Sequence, residues 1–166
     1  MITELNNLIL NYCTLDAGLN VGLGTDGPSS GNTLDLFTQM RMVANFHKTH
    51  TNNRAAFPTR DIVRLATLGG AEAIGLDAII GSIERGKKAD IVLVETESIN
   101  MFPIFDPYSA LVYSANASNV SHVFVDGKLI VEDKVLLTAS VKELRSNLSK
   151  EMTYFKEKAI EFSKDL

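Results

Sequence analysis

The 166-residue sequence lacks several features that define other classes of protein. No apolar run approaches the ~18 residues that a membrane-spanning helix needs, so we expect no membrane association. The single cysteine, Cys13, cannot form an internal disulfide, which favours a reducing compartment. No Lys or Arg precedes Arg41, so the basic region of a secretory signal is missing. Together these absences predict a cytoplasmic protein.

Positive charge is also scarce at the start of the chain. The formal net charge is −4, and residues 1–40 contain four acids and no Lys or Arg. Acids and bases balance over the remaining residues, so the chain has no basic stripe for a phosphate backbone, and we expect no nucleic-acid partner. With 45% apolar residues, the chain has enough aliphatic content to form an ordered core.

The first half of the chain predicts one short strand followed by helices. Residues at about 19–24 form a short apolar strand candidate, which runs into a segment of turn-forming residues. Apolar residues then recur at helical spacing over about 33–48. A further helical segment is predicted over about 59–76, with an interruption at Gly69 and Gly70.

The second half changes to a strand pattern. Ile91–Val94 is a continuous aliphatic run that is typical of a buried strand. Residues 120–125 alternate in polarity, and Asp126-Gly127 is a strong signal for a two-residue hairpin turn. The pattern predicts an antiparallel β-unit within residues 81–135.

A long amphipathic helix is predicted from about residue 140 to the end of the chain. Ser140 and Glu143 have the spacing of a capping box. The apolar residues that follow are separated by three and four positions as far as Phe162. Such a stripe needs a surface on which to pack.

The segment around Asp26 is the one that points most clearly to chemistry. Asp26 lies where the strand predicted at 19–24 ends and a glycine-rich loop begins, and α/β folds gather ligands and catalytic groups at the carboxyl ends of strands. Glycines at 22, 24 and 27 permit the backbone to approach a substrate or a metal. From spacing alone, the alternative is that Asp26 starts a turn or caps the next helix.

The histidines and the cysteine are weaker candidates. His47 and His50 have the spacing of some metal pairs, but a solvated helix end is the favoured interpretation. His122 lies within a strand pattern and is expected to be a packed or edge residue. Cys13 has no base or helix start nearby that would produce a reactive thiolate.

Three motifs occur in an order that indicates a known family. They are DAGLNVGLGTDG at 16–27, ATLGGAEAIGL at 66–76 and GSIERGKKADIVLV at 81–94. Together they resemble the C-terminal third of the amidohydrolase superfamily, and in particular its metal-dependent aminohydrolase and chlorohydrolase branch, which includes methylthioadenosine/S-adenosylhomocysteine deaminase. The tracts NTLD at 32–35 and DPYSALVYS at 106–114 resemble the same branch. The resemblance covers about residues 15–137.

The resemblance implies an α/β fold built from part of a larger architecture. Residues 1–80 would be the end of the metal-dependent hydrolase barrel, as the last strand–helix unit of a (β/α)8 barrel. Residues 81–137 would be the C-terminal share of a small β-sandwich. Residues 138–166 would be the C-terminal amphipathic helix, folded back on the barrel wall.

The resemblance also implies a reaction. Asp26 matches the aspartate that follows the last barrel strand, so it is the expected catalytic residue and the expected metal ligand. In the family this aspartate accepts a proton from metal-bound water, which attacks a ring carbon and releases ammonia or another leaving group. The implied small-molecule substrate is nucleoside-like or triazine-like, and the implied cofactor of a complete enzyme is a divalent metal, zinc or iron.

The chain departs from the family pattern because the other seven barrel strands and the family's histidine ligands are missing from it. Catalytic zinc normally takes three protein ligands, so we expect the chain alone to bind no catalytic metal and to be inactive. The unpaired strand and the apolar stripe predict association, with a second copy or with a companion chain. The alternatives are a non-catalytic remnant or interaction module, and a stand-alone binding domain without metal.

Overall fold

The computed structural model describes residues 17–163, which form an α/β fold with helices first, an antiparallel sheet next and a long helix last. A π-helical turn at Ala110–Ser114 and a 3-10 turn at Ala117–Asn119 connect the helical part to the sheet. In chain order the other elements are α1 (Pro28–Gly31), α2 (Leu36–Thr51), α3 (Thr59–Ala66), α4 (Leu68–Ala73), β1 (Ile91–Val94), α5 (Pro107–Ser109), β2 (Val120–Val125), β3 (Lys128–Glu132), β4 (Val135–Leu136) and α6 (Val141–Ser163).

The sheet has four strands in the order β1-β2-β3-β4, and all neighbours are antiparallel. Leu93 lies opposite His122, and Val123 lies opposite Val131. Asp126 and Gly127, which connect β2 to β3, both have positive φ, the geometry that matches the twist of a tight hairpin. The predicted antiparallel β-unit is confirmed.

The main core lies between α2, α3 and the π-helical turn. Val43 and Ile62 have no exposed surface, and neither has Val112, which comes from the turn. Leu65 and Phe57 are also buried in this cluster. The core therefore joins residues on both sides of β1 in the sequence, because the chain returns to the helices at residues 107–114 before it forms β2.

The segment predicted as a strand at 19–24 has no ladder partner among residues 17–163, so its place as a barrel strand stays a prediction. Instead the segment lies against the junction of α3 and α4. The N–H of Leu23 donates a hydrogen bond to the carbonyl of Leu65 over 3.0 Å. A Cβ added at Gly22 would lie 2.6 Å from Cα of Gly70, so the two backbones touch.

The helices differ from their predicted bounds for local reasons. The second helix begins at Leu36 rather than at about 33, since Asp35 accepts a hydrogen bond from the N–H of Phe37 and caps the helix. The helical segment predicted over 59–76 is interrupted at Thr67, not at the glycine pair. Both glycines lie inside α4, and at Gly69 the lack of a side chain permits close approach of the 19–24 segment, since a Cβ there would lie 2.7 Å from the carbonyl oxygen of Val21.

The predicted terminal helix is confirmed as α6, which begins after Ser140. The Ser140 hydroxyl accepts a hydrogen bond from the N–H of Glu143 over 3.2 Å, as the capping pattern predicts. No residue of α6 is buried. Its packing on a barrel wall stays a prediction. Within residues 17–163, no helix is both long enough and apolar enough to span a bilayer.

Candidate active site

Asp26 lies in a tight turn between the 19–24 segment and α1. Its φ is +57°, a left-handed conformation that aspartate tolerates better than most residues. The N–H of Gly27 donates a hydrogen bond of 2.6 Å to Oδ1 of Asp26, and the Thr25 hydroxyl donates one of 3.0 Å to the Asp26 carbonyl. The residue is exposed. The turn therefore fixes the carboxylate and presents it to solvent, so both interpretations of Asp26, turn former and reactive carboxylate, fit its geometry.

The tract after the turn connects the Asp26 loop to α2. Thr33 accepts a hydrogen bond of 3.0 Å from the N–H of Asp35. Asp35 in turn accepts one from the N–H of Phe37 through Oδ1, and one from the Thr38 hydroxyl through Oδ2. Asp35 is therefore a helix-capping residue, and both of its oxygens have bonds to α2.

The histidines do not assemble around Asp26. His47 is only 3% exposed and packs edge-on against Phe57, with 5.0 Å between ring centroids. The interpretation of His47 as part of a solvated helix end is wrong, because α2 continues to Thr51 and turns this residue toward the core. His50, in the last turn of the same helix, is exposed.

His122 is a packed strand residue, as predicted. It pairs with Leu93 in the ladder and is half-buried. Its Nε2 lies 3.8 Å from Oδ1 of Asp133, which is a long contact. Cys13 lies outside the described residues.

Residues 17–163 alone do not provide a set of ligands for a catalytic metal. Within this range, no group of three or more His, Cys, Asp or Glu side chains could hold a metal ion. Asp26 supplies one carboxylate, whereas a catalytic zinc site normally has three protein ligands. The expected metal site is therefore incomplete among these residues.

A buried polar cluster around Asn119 is a feature that the sequence analysis missed. Asn119 is 1% exposed and donates hydrogen bonds from Nδ2 to Glu95 Oε1 at 2.9 Å and to the Ser98 hydroxyl at 2.7 Å. Its Oδ1 accepts from Asn100 Nδ2 and from the N–H of Asn116. The bond from Asn119, followed by the bond from Ser98, holds the pKa of Glu95 below its usual value. The spacing of Asn116 and Asn119, which form a capping box, is the feature of the sequence that could have indicated this cluster.

One cavity among the described residues is large, but Asp26 does not line it. It measures about 750 Å³ and lies between the helices and the sheet. Phe37, Met40 and Val63 contribute its helical side, and Ile91 and Val94 contribute its sheet side. Its lining is mainly apolar, and both of its acids already accept hydrogen bonds, Asp35 from α2 and Asp90 from the N–H of Asp126. The cavity therefore resembles an interface between packed layers more than a site for acid–base chemistry.

Comparison with known sequences identifies the class of protein to which this fold and the Asp26 loop belong. Residues 12–130 match the amidohydrolase family, and the chain belongs to that family. The chain is 42% identical over 130 residues to the 5-methylthioadenosine/S-adenosylhomocysteine deaminase of Syntrophobacter fumaroxidans, which covers 78% of this chain and 30% of that deaminase. The chain thus spans less than a third of the length of this curated relative.

Solved structures of the family have the same fold over most of this chain. An adenosine deaminase from Xanthomonas campestris with bound zinc matches with a TM-score of 0.82 and 34% identity, over 86% of this chain and 33% of that one. An atrazine chlorohydrolase from Arthrobacter aurescens complexed with zinc matches with a TM-score of 0.75 and 29% identity, over 82% of this chain and 30% of that one. These relatives are hydrolases that act on C–N or C–Cl bonds. They are similar to this chain in backbone structure as well as in sequence.

Proposed function

We propose that this chain is the C-terminal segment of a metal-dependent amidohydrolase. The proposed enzyme attacks a C–N bond, or a C–Cl bond, of a heteroaromatic substrate that is nucleoside-like or triazine-like. The observation that supports this proposal most is the match to the zinc-bound adenosine deaminase, since it extends over 86% of the chain with a TM-score of 0.82. The single cysteine agrees with a cytoplasmic location for this enzyme.

In this proposal Asp26 is the carboxylate that this chain contributes to the active site. The hydrogen bond from Gly27 fixes one of its oxygens, and the residue is exposed, so it can reach a bound substrate or water. A carboxylate so placed can accept the proton of an attacking water. A divalent metal, zinc or iron, would belong to the complete enzyme and would be held mainly by residues other than those at 17–163.

The proposal also implies that the chain alone is inactive, because one carboxylate cannot replace a complete set of ligands. This same observation supports a second candidate function. The chain could be a non-catalytic remnant or interaction module that assembles with itself or with a companion chain.

A chimeric enzyme tests which of the two candidate functions is correct. The matching C-terminal part of the Syntrophobacter deaminase is replaced by this chain, and ammonia release from methylthioadenosine is measured together with zinc content. We expect an active, zinc-containing chimera whose rate falls about 10²–10⁴-fold in the Asp26→Asn variant. Asp61→Asn, a change at an exposed residue of α3, serves as the matched control and should leave the rate unchanged.

Two outcomes would contradict the proposal. A folded, zinc-containing chimera that keeps full activity with Asp26→Asn would remove Asp26 from the mechanism. Near-stoichiometric zinc bound by the 166-residue chain alone, lost in Asp26→Asn, would instead indicate a compact metal site and overturn the assignment of the chain as one segment of a larger site.

A further inference from the structure

The last helix, α6, has an apolar stripe that no other described residue buries. Leu148 is 61% exposed, Phe155 64% and Phe162 72%. Apolar side chains exposed in one continuous line are uncommon on a folded surface and indicate an interaction site. The stripe consists of Val141, Leu144, Leu148, Met152, Phe155, Ala159 and Phe162.

The spacing within the stripe is that of a coiled-coil seam. Successive apolar residues are three or four positions apart over the whole helix, as in the alternating core positions of a heptad repeat. The one irregularity is a double step of four, from Leu144 to Leu148 and on to Met152. Such a stutter unwinds the supercoil locally without moving the seam off its face.

We propose that α6 pairs with α6 of a second copy of this chain, in parallel, as a short two-stranded coiled coil. The inference goes beyond the proposed function and does not depend on it. The charges beside the seam specify both the partner and the direction. Glu151 lies next to Met152 on one side of the stripe, and Lys156 lies next to Phe155 on the other.

In a parallel pair, a residue at the Glu151 position faces the residue five places further along the other helix. Glu151 therefore faces Lys156 of the second copy, and the twofold symmetry makes this contact twice. In the described part of the chain, neither residue has an ion-pair partner within 4 Å, unlike Lys158, which pairs with Glu161. Both side chains are exposed and available for contact between copies.

An antiparallel pair would place like charges together. With the apolar residues of the two helices aligned, Glu151 would lie beside Glu151 of the second copy, and Arg145 would lie close to Lys156. Like charges at these positions oppose association. The charge pattern therefore selects the parallel arrangement.

Sedimentation velocity of the full chain over a range of concentrations tests the pairing. We expect a concentration-dependent dimer, and at least a 10-fold rise in its dissociation constant for Leu148→Glu. Ser146→Glu, on the opposite face of α6, is the matched control and should leave the constant unchanged. The inference is overturned if the chain stays monomeric at the highest concentration, or if Leu148→Glu associates as the unchanged chain does.

A charge exchange tests the direction. Lys156→Glu alone should weaken the dimer several-fold, because it places two carboxylates together, and Glu151→Lys added to it should restore the dimer. Circular dichroism checks that each variant keeps its helix. A dimer strengthened by Lys156→Glu would overturn the parallel arrangement, since the new carboxylate would then lie near Arg145. These measurements of association are separate from the activity of the chimera, so either proposal can fail alone.

Discussion

Gly69 is a residue at which the structure leaves no space for a side chain. A Cβ at this position would lie 2.7 Å from the carbonyl oxygen of Val21 and 3.2 Å from that of Arg64. Backbone atoms cannot move aside as the end of a flexible side chain can. The contact between the 19–24 segment and α4 therefore depends on the absence of one carbon atom.

We expect Gly69→Ala to lower the free energy of unfolding by roughly 1–2 kcal/mol, even though alanine favours helix by up to about 1 kcal/mol over glycine. Gly24→Ala is the matched control, because a Cβ there meets nothing within 4 Å, and it should change stability by less than about 0.5 kcal/mol. Urea denaturation measures both. Equal stability of the two variants would show that the close contact is relaxed at no cost.

Glu95 makes the stability of the chain depend on pH. Its pKa in the folded chain is held below the ordinary value of 4.5, chiefly by the hydrogen bond from Asn119. Around that pH the unfolded chain consequently binds more protons than the folded chain. The stabilisation from Glu95 is therefore complete above about pH 4.5 and is lost as the pH falls through the lowered pKa.

We expect Glu95→Gln to flatten the loss of stability below pH 4.5, the ordinary value for this group, when unfolding is measured by urea denaturation at several pH values. Glu97→Gln, two residues away and exposed, should keep the steeper profile. An identical profile for Glu95→Gln and the unchanged chain would contradict the role of the Asn119 cluster.

The sequence predicted the candidate site only in part. It placed Asp26 in a glycine-rich turn, since that pattern is local. It did not predict the burial of His47, which depends on contact with Phe57 ten residues later in the chain. Nor did it predict that the Asn119 side chain has hydrogen-bond partners at four positions outside the helices and strands, because side-chain hydrogen bonds of this kind leave no periodic pattern.

At the scale of elements, α2 depends on its N-terminal cap. Asp35 bonds both the N–H of Phe37 and the hydroxyl of Thr38. We expect Asp35→Ala to lower the free energy of unfolding by about 1 kcal/mol, and Asp35→Asn to cost clearly less, because asparagine is also a good cap. Thermal unfolding followed by circular dichroism measures the difference. A loss as large for asparagine as for alanine would show that charge, not hydrogen bonding, is what Asp35 contributes.

Elements that depend on local pattern were predicted well, whereas the strand predicted at 19–24 depends on a neighbouring strand and stays a prediction. The hairpin at Asp126-Gly127 and the helix after Ser140 need only nearby residues, so their sequence signals were sufficient. The segment at 19–24 has a strand-like sequence, but a strand also needs a partner for its backbone hydrogen bonds. Within residues 17–163, the bond from the N–H of Leu23 to the carbonyl of Leu65 is a contact with a helix, not part of a ladder.

At the scale of the whole molecule, we expect α6 to contribute little to the stability of the rest of the described chain. Since no residue of α6 is buried, its removal should leave the core and the sheet intact. We expect a chain that ends at Ala139 to unfold with a free energy within about 0.5 kcal/mol of the full chain, measured where both are monomeric. Hydrogen exchange should show unchanged protection in β2 and β3. A loss of that protection would mean that α6 supports the sheet.

The connections within the sheet also have a kinetic consequence. β2, β3 and β4 follow one another from Val120 to Leu136 with very short turns, whereas β1 joins β2 only after the long excursion from Val94 to Val120. Hairpins close in about 1–10 μs, and closing a longer loop costs more chain entropy. The β2–β3–β4 meander should therefore form first during refolding, and β1 should be the last strand added to it. Pulse-labelled hydrogen exchange would then detect protected amides between β2 and β3 before those between β1 and β2.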